Sequence, residues 1–99
     1  MMLFAVRFFD RPDAANVRQQ HMQAHSDWLD ENKDVVLAAG SLRLEPGSKP
    51  EGGLWIVEAP SKAVVEALIK SDPFSVHGLR QRHEILLWTK AFPDRKVPV

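Results

Sequence analysis

Four histidines and no cysteine set the acid–base chemistry open to this chain near neutral pH. Imidazole is the side chain whose ordinary pKa lies there, so a histidine partly removed from water can serve as a general acid or base. His21 is the first candidate. Stepping ~100° per residue, Ala14, Val17, His21, Ala24 and Trp28 fall in one narrow arc of a helix, flanked by His25, Leu29 and Met22. A histidine in such a stripe faces the interior, where lost hydration disfavours the charged ring unless a carboxylate supports it. The position equally suits a core histidine whose nitrogens are satisfied by a backbone carbonyl or a side chain, with no chemistry attached.

The other polar candidates have weaker patterns. His25 lies one helical turn beyond His21, a spacing at which two histidines can share a metal. No further ligand motif accompanies them and no glutamate follows His21, so His25 is expected to edge a substrate pocket or meet solvent, and no metal is expected. Asp72 precedes Pro73, a pairing common in turns. It can also be the carboxylate that orients His21 or takes a proton itself. Asp10, at the end of the first apolar run, suits a cap or the rim of a site. Arg18 is three residues before His21, hence its neighbour on a helix surface, and can hold a substrate carboxylate or stay solvated. His77 and His83 read as structural or exposed. Trp28, Trp55 and Trp88 suit a core or interface, or else an aromatic wall for a planar ligand. Ser41 and Ser48 have no nucleophile motif, and nothing resembles a phosphate loop. The absence of cysteine excludes disulfides, thiol nucleophiles and thiolate metal sites.

Simple elements can position these residues. Leu3 to Phe9 reads as a strand that is apolar on both faces, which calls for cover on both sides. Helices can cover one side of a small sheet, and a second subunit is expected on the other. Arg11, Pro12 and Asp13 make a turn with Asp13 as N-cap, and a helix follows from Ala14 to Glu31. Val35 to Leu42 and Leu54 to Ala59 read as antiparallel neighbouring strands. The loop 45–53, rich in proline and glycine, is expected to be a mobile flap. Ser61 caps a second helix whose apolar face is Ala63, Val64, Ala67 and Leu68. Pro73 ends it by biasing Asp72 away from helical angles. After Gly78, His83 to Thr89 forms the last strand. The tail 91–99, with Pro93 and Pro98, is expected to pack on a partner. The order βαββαβ predicts an α+β, ferredoxin-like domain with a four-stranded antiparallel sheet and both helices on one face.

Composition bounds the partners. Ninety-nine residues make one domain, 44% hydrophobic and 26% charged, an ordinary globular balance. Formal net charge is zero and there is no basic stripe, so nucleic acid is not an expected partner. No apolar run approaches the ~20 residues of a membrane span. The apolar N-terminal stretch, interrupted by Arg7, does not read as a signal peptide. A cytoplasmic protein is expected.

These residues together resemble the YciI-like, or YCII-related domain, family. The resemblance is carried by Asp10 with a proline at the first turn, Arg18-Gln-Gln-His21-Met22, Ala39-Gly40, the small-residue loop, Asp72-Pro73-Phe74 and Gly78-Leu79, spread in order over almost the whole chain. It implies a ferredoxin-like subunit of a dimeric α+β barrel, with His21 and Asp72 as the catalytic pair. Reactions in the wider superfamily include dehydrochlorination of a chlorinated hydroxyquinol, muconolactone isomerisation and cofactor-free monooxygenation. The resemblance thus implies a cofactor-free lyase or isomerase moving a proton on a small polar or aromatic metabolite. Arg18, Asp10 and His25 would bind substrate, and the chain would be a homodimer through its sheet face. The alternative is a non-catalytic dimeric ligand-binding or accessory protein.

Overall fold

The computed structural model describes residues 1–94. The element order is β1 (Met2–Asp10), α1 (Ala15–Glu31), β2 (Val36–Leu42), β3 (Gly52–Ala59), α2 (Lys62–Ser71), α3 (Pro73–Val76) and β4 (Arg80–Trp88). The four strands form one sheet in the order β2-β3-β1-β4, and every neighbouring pair is antiparallel. This is the ferredoxin-like α+β arrangement that the sequence predicts.

Alternation along β1 decides which face is the core. Phe4, Val6 and Phe8 point to the helix side and are buried, together with Trp55, Val57 and Ala59 of β3, Ile85 of β4 and Val65 and Ile69 of α2. Trp28 and Leu29 of α1 pack on the same cluster. The opposite face is also apolar. There Ala5 lies between Ile56 and Leu86, and Leu3 pairs with Trp88. Leu54, Leu86 and Trp88 are exposed in the single chain. Two guanidiniums flank Phe9 on this face, Arg7 at 4.8 Å and Arg82 at 3.7 Å.

The element ends differ from expectation for local reasons. The Ala14 N–H donates to Arg11 O (3.3 Å), and this turn leaves Asp13 one residue early. The N-cap of α1 is therefore Ala14, which has no side-chain cap bond. β3 begins at Gly52 rather than Leu54. A Cβ on Gly52 would stand 1.8 Å from the Phe8 carbonyl oxygen, so this glycine is required by close strand pairing and not by a loop. In α2 the buried residues are Val65 and Ile69, one position round from the predicted face, and Val64 is exposed.

Pro73 ends α2 as predicted, with Asp72 in an extended conformation (φ −67°, ψ 129°). It also starts the short α3: the Asp72 side chain accepts from Phe74 N at 3.2 Å, and proline suits the first helical position. The chain leaves α3 through Gly78 at φ 78°, which no β-branched or bulky residue adopts readily, and β4 then starts at Arg80. The loop after β2 is closed by Arg43 donating to Ser48 O (3.2 Å) and by Ser48 Oγ donating to Glu45 O (2.8 Å). The predicted docking of the tail lies, from residue 95 on, outside the described residues. Among the described residues no helix is long and apolar enough to cross a membrane.

Candidate active site

Asp72 is completely buried, and its carboxylate reaches α1 across 47 residues of sequence to meet His25, not His21. His25 Nδ1 lies 2.7 Å from Asp72 Oδ1. A carboxylate acceptor places the ring proton on Nδ1, which leaves Nε2 with its lone pair. Nε2 makes no hydrogen bond among the described residues. Phe74, two residues after Asp72, stacks on the imidazole with centroids 3.9 Å apart and planes 14° from parallel. Asp72 thus fixes the edge of the ring and Phe74 fixes its face. Asp72 Oδ2 is buried with no hydrogen-bond partner among the described residues.

Asp10 organises the other half of the site. At the end of β1, where the register shifts between Phe9 and Asp10, its two carboxylate oxygens receive two guanidiniums. Arg18 donates to Oδ2 at 2.5 Å and Arg80 to Oδ1 at 2.8 Å. Both arginines lie over the Phe74 ring, at 5.3 and 5.2 Å, and Arg80 also lies 4.4 Å over Phe8. Burial, helped by the nearby Arg18 charge, holds the Arg80 guanidinium below its ordinary pKa, and the hydrogen bond to Asp10 and the charges of Asp10 and Asp72 offset this only in part.

Two adjoining cavities open here. The inner one, about 230 Å³, lies between α1 and the β2–β3 half of the sheet, and His25, Trp55, Phe74 and Arg80 line it. The outer cleft, about 690 Å³, opens between the start of α1 and the β2–β3 loop, with Asp10, Arg11, Lys49 and Leu79 in its wall. Arg18, Met22 and Arg43 border both. The outer cleft is larger, but His25 lines only the inner one.

The placements correct the sequence reading on three points. His21 does not meet Asp72: its ring stacks on His77, centroids 3.6 Å apart and 4° from parallel, and it lines neither cavity. The one buried residue of α1, His25, lies about 40° further round the helix than His21. Ala24, which draws the predicted arc the other way, is exposed. Second, Asp10 holds two arginines with both oxygens and acts as an anchor within the protein, not as an open substrate ligand. Third, Arg18 is engaged by that anchor, so its charge is partly answered internally. His21 and His25 engage different partners, and among the described residues no group of three or more metal-ligating side chains is placed to hold an ion. Arg80 escapes sequence reasoning because it falls in what reads as a loop. Its only signal is its place two residues after the helix-breaking Gly78.

Comparison with known proteins agrees with this architecture. The profile of the YCII-related domain matches residues 2–89. No curated protein sequence matches the chain. Among solved structures, 5-chloro-2-hydroxyhydroquinone dehydrochlorinase from Burkholderia phenoliruptrix, in complex with 2,5-dihydroxybenzoquinone, superposes with a TM-score of 0.80 and 29% identity, covering 89% of this chain and 94% of that one. A protein from Thermus thermophilus shares the fold at a TM-score of 0.55 and 19% identity, covering 94% of this chain and 99% of that one. An antibiotic biosynthesis monooxygenase does so at a TM-score of 0.53 and 13% identity, covering 92% and 99%.

Proposed function

The chain belongs to the YCII-related domain family, and we propose that it is a lyase-type enzyme in which His25 is the general base. The single observation that carries this is the buried His25–Asp72 bond (2.7 Å), with His25 in the wall of a cavity. Nε2 takes a proton from a small planar substrate in the inner cavity. The electron pair of the broken bond enters a new double bond, and a leaving group departs with its own bonding pair. Asp72 holds the imidazole in the acceptor tautomer and stabilises the imidazolium that forms, a task that needs an oriented carboxylate rather than a second base. Elimination of this kind is redox-neutral, so the step needs no redox cofactor.

The dehydrochlorinase relative names a substrate to try. The chain is expected to release chloride from 5-chloro-2-hydroxyhydroquinone, and His25→Asn is expected to slow release by about 10²–10⁴-fold. Equal chloride release by His25→Asn and the unaltered chain would remove His25 from the mechanism. Ligand binding without turnover would favour the non-catalytic reading.

We also propose that the active form is a homodimer through the outer sheet face. Leu54, Leu86 and Trp88 form an exposed apolar surface on strands whose other side is already core. Leu86→Lys is expected to shift the mass by light scattering from dimer to monomer. A monomer before the substitution refutes the proposal.

A further inference from the structure

We infer that the substrate carries an acidic substituent, a carboxylate on a small ring, which Arg43 holds in the outer cleft while the ring occupies the inner cavity. This inference rests on reading the cavity at His25 as the substrate site and names the chemical class that site takes.

Size is the first argument. Small-molecule sites commonly occupy roughly 300–1,000 Å³. The inner cavity, at about 230 Å³, is smaller than that and suits a single ring, whereas the outer cleft of about 690 Å³ has room for substituents. Met22 borders both spaces and supplies apolar surface at their junction.

Charge is the second argument. The whole chain has zero formal net charge, yet the outer cleft gathers Arg11, Arg18, Arg43 and Lys49 against Asp10 and Glu51. Asp10 is already shared by Arg18 and by Arg80 from the inner cavity. Arg11, Arg43 and Lys49 have no ion pair among the described residues, and of the cleft's carboxylates only Glu51 remains to answer them. A concave surface with one sign of charge in excess concentrates ligands of the opposite sign.

Position is the third argument. Of those three cations only Arg43 also borders the inner cavity, where His25 lies. One of its guanidinium nitrogens donates to Ser48 O at 3.2 Å, which ties the side chain to its own loop. Its remaining donors are available to a carboxylate, the planar partner that guanidinium matches best.

The test compares two unreactive probes that differ by one carboxylate, hydroquinone and 2,5-dihydroxybenzoate, titrated into the purified chain by calorimetry. The acid is expected to bind at least about tenfold more tightly than hydroquinone. Raising salt from about 0.01 M to about 1 M, which shortens the screening length from about 30 Å to about 3 Å, is expected to weaken the acid and leave hydroquinone unchanged. Arg43→Gln, at an exposed position, is expected to abolish the preference, and Lys49→Gln to reduce it. Equal affinities, failure of both probes to bind, or a preference that survives in Arg43→Gln overturns the inference. The same titrations on His25→Asn separate the two claims: a preference retained there, with equal chloride release by His25→Asn and the unaltered chain, leaves the acidic ligand standing and removes His25 from the mechanism.

Discussion

Two histidine–carboxylate pairs occur among the described residues, and only one is buried. His25 and Asp72 lie 2.7 Å apart with side chains 10% and 0% exposed, whereas His83 and Glu66 lie 3.0 Å apart at 29% and 45%. The residue types and the bond lengths are nearly the same. The environments are not. Asp72 is fixed by capping α3, and His25 is held face-on by Phe74. Glu66 projects from α2 toward water, and Phe8 meets the His83 ring only obliquely, with centroids 6.2 Å apart. A hydrogen bond between these residue types does not make a catalytic pair. What distinguishes the first is a buried carboxylate with no freedom to turn away and a ring whose face Phe74 holds.

This contrast can be tested in order of expected effect. The largest is in rate: His25→Asn is expected to lose about 10²–10⁴-fold in the chloride-release assay, while His83→Asn stays within about twofold by the same standard. If both substitutions abolish turnover, the distinction collapses. Stability should divide the carboxylates likewise. Asp72→Ala strands a buried partner and removes the α3 cap, and is expected to cost about 3–5 kcal/mol in urea unfolding. Glu66→Ala breaks a largely solvated pair and is expected to cost less than about 1 kcal/mol. A smaller effect isolates the stacking: Phe74→Leu keeps an apolar core residue but removes the ring, with an expected cost of about 0.5–1.5 kcal/mol beyond lost area. Its rate should fall by more than its stability predicts, because the imidazole loses the surface that sets its plane. An unchanged rate in folded Phe74→Leu would mean that Asp72 alone positions His25.

The fold is readable because its signals are local. Alternation in Phe4–Val6–Phe8, the Ser61 cap and the Asp72-Pro73 break each follow from a few adjacent residues. The site is half readable for the opposite reason. Asp72 is marked by its proline, but its partner depends on which of two histidines a turn apart faces the start of α3 and which faces its end. A helical arc resolves that only to within tens of degrees. Ala24 tips the arc because alanine counts as apolar while burying little and is tolerated on either side of a helix. Arg80 and Arg43 carry no sequence signal of their own, since a charged residue at a strand end is ordinary until its partners across the sheet are known. Asp10 and Arg18 stand out in the sequence, yet their bond across eight positions turns two expected ligands for substrate into one internal brace.

The inner cavity also has its own optical probe. Trp28 and Trp55 lie 5.2 Å apart with planes at 26°, close enough for their indole transitions to couple. Trp55 lines the cavity beside His25, while Trp28 donates to Ser71 Oγ at the end of α2 (3.1 Å). A quinone-like guest against Trp55 should quench its emission and alter the near-ultraviolet dichroism of the pair. The third indole, Trp88, lies on the far face of the sheet and should be silent to that guest. Trp88 would instead report the arrival of a second subunit, so substituting one indole at a time separates the signal of occupancy from that of assembly.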